Sequence, residues 1–139
     1  MIGRGHCAGD FLEAYEWELL REGPGELEVR AHLPEHVRNP RGQLFGGFTP
    51  TYVDLIALFT VRAGRAPDEE WGWLATTNMR VDYLAPVTGP RFLLDSRLVH
   101  RRKRAALVET RFLDEEGELL VFAVTSLLEI LPRAPLGDA

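Results

Sequence analysis

The residues best placed to do chemistry lie in one stretch, NPRGQLFGGFTPTYVDLIALFTVRAG, residues 39–64. From Phe48 onward nearly every residue is apolar or small, yet Asp54 stands in the middle. An ionised carboxylate buried without a partner costs several kcal/mol, so such a group is normally paired or protonated. Two readings follow. Asp54 either caps a loop or pairs with an arginine such as Arg62 or Arg80, or it is a general base or nucleophile tuned by apolar surroundings. The second feature is Gly46-Gly47. Paired glycines before a helix leave backbone N–H groups uncovered at the positive end of the helix dipole, where a developing oxyanion or a phosphate is stabilised; the alternative is a tight turn. Gly46 lies eight residues before Asp54, about 12 Å along a helix axis. One chain does not easily bring both groups to one carbonyl, whereas two antiparallel copies can.

The element that must carry Asp54 is a helix with readable ends. Pro50 has no N–H to donate and belongs in a first turn, which starts the helix near Gly46 to Thr49. Gly64 is its stop. Between them Phe48, Tyr52, Val53, Leu55, Ile56, Leu58, Phe59 and Val61 cover all sides of the wheel, the pattern of a buried helix. Upstream, Asp10 is placed to cap a short helix through Tyr15, with Phe11, Leu12 and Tyr15 as its apolar stripe. The runs EWELLRE and ELEVRAHL flank Gly23-Pro24-Gly25 and read as a hairpin, and PEHVRNPRGQL reads as a loop. After Arg65-Ala66-Pro67 the chain reads as β structure: an alternating run that Pro86 ends, then runs divided by the polar turns Arg101 to Arg104 and Asp114 to Gly117. The last two runs form a hairpin with Val108, Thr110 and Phe112 on one face, and the tail RAPLGDA reads as frayed. The order is hairpin, buried helix, then three long strands: an α+β architecture with an antiparallel sheet wrapped around a central helix. A sheet covers one side of a helix only, so a second copy of the chain is the expected cover for the rest.

Composition narrows the function classes. The 139 residues fit a single domain spanning 1–139, and 45% hydrophobic with 27% charged residues is the balance of a soluble globular protein. A net charge of −5 gives no basic footprint for nucleic acid. The lone Cys7 supports neither a disulfide framework nor a cysteine metal site within one chain, which fits a reducing cytoplasm. Asp10, Glu13, Glu16 and Glu18 interrupt the N-terminus where a signal peptide needs an apolar run, and no run of about 18 apolar residues occurs. A cytoplasmic, unexported protein with no membrane partner is expected.

The segment N-P-R-G-Q-L-F-G-G-F-T-P-T-Y-V-D resembles the Asn, Gly-Gly, Asp signature of hotdog-fold acyl-CoA thioesterases. The likeness is strongest to the branch with the phenylacetate-degradation thioesterase and the Arthrobacter-type 4-hydroxybenzoyl-CoA thioesterase. MRVDYLAP and the stretch from Phe92 to Ile130 resemble later family strands, so the likeness covers most of the chain. It implies a hotdog fold, and a homodimer that commonly pairs into a dimer of dimers. It also implies hydrolysis of an acyl-CoA thioester, with coenzyme A as part of the substrate and no separate cofactor or metal. Asp54 falls at the family's catalytic carboxylate, which activates water or attacks the carbonyl directly. Gly46 falls where a backbone N–H from the other subunit points at that carbonyl, with Gly47 beside it. Asn39 matches a loop asparagine that helps place substrate or water. In hotdog enzymes the strand carrying Thr77 and Asn78 lines the pocket, so these are substrate-binding candidates. Arg102 and Arg104, within the run Arg101-Arg102-Lys103-Arg104, are candidates for the phosphates of coenzyme A, where arginine's planar fork suits bidentate contact; a solvated hairpin turn is the alternative.

One position departs from the family. Relatives commonly carry His-Gly-Gly, and here the histidine position is Phe45, which lies beside the glycines as a substrate-binding candidate. Phenylalanine donates neither a hydrogen bond nor a proton. Either Asn39 and Asp54 suffice, or the protein is a non-catalytic acyl-CoA or lipid-binding relative. A dehydratase ranks below both, because its proton transfers call for a histidine that the helix lacks. His6, His32, His36 and His100 read as exposed loop histidines without ligand-like spacing, although His36 is a spatial candidate for the missing group.

Overall fold

A computed structural model describes residues 5–65 and 72–130. The chain opens with α1 (Cys7–Phe11) and a 3-10 turn (Ala14–Glu16), followed by β1 (Glu18–Gly23) and β2 (Glu26–His32). After two more 3-10 turns comes α2 (Thr49–Arg62), and then β3 (Trp73–Tyr83), β4 (Arg91–Arg102), β5 (Ala105–Leu113) and β6 (Leu119–Ile130). The six strands form one antiparallel sheet in the order β1-β2-β4-β5-β6-β3. It curls around α2.

The hairpin, the helix ends and the β5–β6 pair lie where the sequence places them. Val108, Thr110 and Phe112 share the buried face of β5. At Gly64 φ is +77°, and a Cβ there would fall 2.6 Å from the Pro24 nitrogen. Glycine therefore ends α2 both by conformation and by its seat on the hairpin turn. Four strands follow the helix rather than three, because two polar turns cut the C-terminal half into three strands and Trp73–Tyr83 adds its own. The cap of α1 also differs. His6 caps it in place of Asp10, whose carboxylate accepts the Gly5 N–H. The expected tail beyond Ile130 lies outside the described residues.

The core forms where α2 meets the sheet. Tyr52, Val53, Ile56 and Ala57 are fully buried, against Phe92, Leu94, Val108 and Phe112. Tyr52 stacks on Trp17 with ring centroids 5.8 Å apart and meets Phe92 edge-on at 5.3 Å. Each such ring, fully buried, contributes roughly 1.5–3 kcal/mol. The Tyr52 hydroxyl donates to the His32 carbonyl at 3.1 Å, and burial, reinforced by the Glu13 carboxylate, pushes the phenol's pKa up. Thr60 ties the helix to the sheet by a second route. Its hydroxyl donates to the Ile56 carbonyl at 2.7 Å and meets the buried Ser96 hydroxyl at 2.8 Å, which in turn meets Thr110 at 3.2 Å.

Within the single chain the sheet leaves one face of α2 bare, the face for which the sequence calls for a second cover. The sheet wraps one face of α2, while Thr51, Asp54, Leu58 and Arg62 follow one another at helical spacing along a face that opens to a cleft. Asp54 on that face is exposed in the single chain. No helix among the described residues is long and apolar enough to cross a membrane.

Candidate active site

The face of α2 left bare by the sheet forms one wall of a cleft of about 710 Å³, with β3 as the other wall. Along the helix side run Pro50, Thr51, Asp54, Leu58 and Arg62; along the strand side, Trp73, Leu74, Thr76 and Met79. Leu127 of β6 adds to the lining, and His6 and Ala8 stand at the end where α2 begins. Among the described residues, the group that meets the carboxylate is the Thr76 hydroxyl, which donates to Asp54 Oδ1. Arg80, one of the arginines offered by the sequence, pairs instead with Asp82 at 3.3 Å. The contact leaves Oδ2 open to a bound molecule.

Thr76 reaches Asp54 because β3 is irregular. Its pairing with β6 shifts register between Thr76 and Asn78, so Thr77 is an extra residue in the ladder. One extra residue reverses which face the following side chains take. Leu74 and Thr76 face the cleft before the bulge, and Met79 faces it after. Counting back from Met79 by strict alternation points to Thr77, whose hydroxyl instead donates to the Ser126 carbonyl at 3.2 Å. Asn78 is exposed opposite Ser126. The Thr-Thr-Asn cluster within a strand was the available signal for Thr76, but not which threonine turns inward.

The remaining sequence candidates lie outside that cleft, around the glycine turn and on the β4–β5 turn. Gly46 and Gly47 open a 3-10 turn that runs directly into α2, and both are exposed. The first N–H groups of a helix have no partner within it. The Gly46 carbonyl accepts the Tyr83 hydroxyl at 2.7 Å, which fixes this turn to the far end of β3. Phe45 is 51% exposed and packs edge-on against Phe48 at 5.4 Å; a Cβ on Gly47 would fall 2.9 Å from its ring. Asn39 organises the preceding loop, its Oδ1 accepting the Arg41 and Gln43 N–H groups at 2.9 and 3.0 Å. Arg102 and Arg104 flank the exposed β4–β5 turn, where Arg101 pairs with Glu129 at 2.8 Å. Among the described residues, ligand atoms closest to a metal-like grouping are those of Glu13, Glu16 and His32, within 4.8 Å of one another and away from the cleft. One chain thus holds a carboxylate in one place and uncovered N–H groups in another.

Residues 41–121, more than half of the chain, match the profile of the Thioesterase superfamily. No curated protein matches the chain. Among solved structures, a thioesterase from Haemophilus influenzae superposes with a TM-score of 0.78 at 16% identity, over 95% of this chain and 88% of that one. A phenylacetic acid degradation-related protein from Ralstonia eutropha gives 0.75 at 20% identity, over 91% and 92%. A hypothetical thioesterase from Streptococcus pneumoniae, solved with coenzyme A, gives 0.70 at 15% identity, over 86% and 90%. These likenesses identify the sheet curled around α2 as the hotdog fold. The profile match, which spans the Gly46 turn, α2 and most of the sheet, makes the chain a member of the Thioesterase superfamily.

Proposed function

We propose that the protein is an acyl-CoA thioesterase that works as a homodimer, with each site built from two subunits. The observation that carries this reading is Asp54, exposed in a cleft between α2 and β3 and held through one oxygen by Thr76. A carboxylate fixed in this way has its other oxygen available to take a proton from water or to attack a carbonyl carbon. The thioester carbonyl needs a donor where negative charge develops. Gly46 of the same chain does not line the cleft, so the N–H of Gly46 of the partner subunit is assigned that task, with Gly47 leaving the approach open.

The dimer has a natural seam. β3 is an edge of the sheet, eleven residues long, and Trp73 on it is 74% exposed. A long unpaired edge invites pairing with another strand. Antiparallel pairing of β3 with its copy reverses the second sheet. The partner subunit's Arg102 and the partner subunit's Arg104 then come toward the end of the cleft where α2 starts, on the side assigned to the coenzyme A phosphates. Coenzyme A in the related Streptococcus pneumoniae structure supports this ligand class. Asn39 shapes the loop before the glycine turn, and Phe45, Thr77 and Asn78 border the seam.

The test is a screen of acyl-CoA substrates with Asp54→Ala as control, read as thiol release. The wild type is expected to hydrolyse at least one substrate, and Asp54→Ala to lose turnover by orders of magnitude while keeping its melting temperature. An Asp54→Ala protein as fast as wild type would refute these roles. Phe45 motivates the second reading, a non-catalytic acyl-CoA binder, which predicts a thermal shift with acyl-CoA and no thiol release.

A further inference from the structure

His6 enters the Asp54 cleft from the N-terminal segment, beside Ala8, Pro50 and Thr51. It is not a free loop side chain, as the sequence suggested. The Ala8 and Gly9 N–H groups donate to its Nδ1 at 3.2 and 3.4 Å, which makes the imidazole the cap of α1. The segment that carries it is tied down on both sides. Gly5 N–H donates to the Asp10 carboxylate, 3.1 Å from each oxygen. Phe11 packs edge-on against Phe48 at 5.3 Å, and Leu12 is fully buried.

This geometry fixes the tautomer. A ring nitrogen that accepts two N–H groups carries no hydrogen, so the hydrogen of the neutral ring sits on Nε2. His6 therefore offers the cleft a donor and not a base. Along the cleft, His6, Ala8, Pro50 and Thr51 lie on one side of Asp54, and Leu58, Leu74, Leu127 and Arg62 on the other. A thioester with its carbonyl carbon at Asp54 and its coenzyme A directed to the end where α2 starts, the side assigned to the phosphates, turns its sulfur toward His6.

We propose that His6 is a catalytic residue, its Nε2–H donating a hydrogen bond to the sulfur of the departing thiolate; this rests on the thioesterase reading. A water oxygen bonds to the carbonyl carbon as Asp54 takes one of its protons and the C=O π pair moves onto oxygen. The pair then returns, the C–S bond breaks, and its electrons remain on sulfur. The thiolate leaves holding the hydrogen bond from Nε2–H, and the proton on Asp54 passes to solvent. The imidazole gives up no proton, so its cap survives the cycle. The donor missing at Phe45 is supplied from another part of the chain.

The deciding experiment compares His6→Asn with wild type on an acyl-CoA and on the same acyl group esterified to an aryl thiol. Asparagine is among the preferred cap residues, so α1 is retained while the imidazole donor is lost. An aryl thiolate is a stable leaving group and needs little help. His6→Asn is expected to lower kcat on the acyl-CoA by about 10- to 100-fold with KM unchanged, and to leave the aryl thioester nearly as fast as wild type. Both substrates are read on one preparation, so any unfolded fraction cancels. No loss, or equal loss on both substrates, overturns the role of His6. If wild type is active and Asp54→Ala is dead while His6→Asn matches wild type, His6 alone is refuted. A wild type inert to every thioester overturns the thioesterase reading and the role of His6 with it.

Discussion

At the scale of single residues, the proposed chemistry rests on three groups: a carboxylate, the hydroxyl that holds it and a backbone N–H. Thr76→Val removes the donor to Asp54 Oδ1 while leaving a branched side chain on the strand. Net hydrogen-bond contributions to charged groups of about 1.5–3 kcal/mol predict a loss in kcat of roughly tenfold or more. Steady-state kinetics on the best acyl-CoA measure it, and unchanged kcat would remove Thr76 from the site. Gly46 allows a cleaner substitution. It follows Phe45, whose ψ of 127° is the extended conformation preferred before proline, and it opens a helical turn, where proline is tolerated. Gly46→Pro therefore deletes an N–H with little disturbance of the backbone, and turnover should fall by about 10²- to 10³-fold. Gly46→Ala keeps the N–H, and its Cβ would sit an ordinary 3.7 Å from the Tyr83 ring, so it should remain active. Asp54 and the paired glycines stand out as candidates from residue type and spacing, and the family resemblance adds the roles proposed for them. Thr76 and His6 do not stand out. A bulge decides which threonine turns inward, and the seat of His6 in the cleft depends on how the N-terminal segment folds back over α2.

At the scale of elements, α2 and β3 position everything else. The helix limits could be read from Pro50 and Gly64, since one lacks an N–H and the other alone tolerates φ of +77°. The hairpins were legible from alternation broken by turn residues. The exposure of Asp54 was not, because a helical wheel counts apolar residues and does not know which arc a curved sheet leaves uncovered. What holds the helix to that sheet is partly polar. Thr60, Ser96 and Thr110 form a chain of buried hydroxyls across α2, β4 and β5. Ser96→Ala breaks the chain in the middle and leaves the flanking hydroxyls without it, which should cost about 1–3 kcal/mol of folding free energy. Urea denaturation measures the loss. Activity at a temperature where the variant stays folded should be unchanged, since Ser96 lies in the core away from the cleft.

At the scale of the whole molecule, the proposed function makes the dimer part of the chemistry, because Gly46 does not line the cleft that holds Asp54 of its own chain. In the proposed enzyme, Asp54 of one chain works with Gly46 of the partner subunit. Each single variant, Asp54→Ala or Gly46→Pro, disables both sites of its own homodimer. In a heterodimer of the two, one site contains both defects and the other contains neither. Co-expression with two affinity tags and tandem purification isolates that heterodimer. Its thiol release from acyl-CoA should recover to about half the wild-type rate per dimer, as two-fold symmetry requires when one of two sites is intact. A heterodimer no more active than its inactive parents would place both groups in one chain or outside the reaction, and would contradict the account.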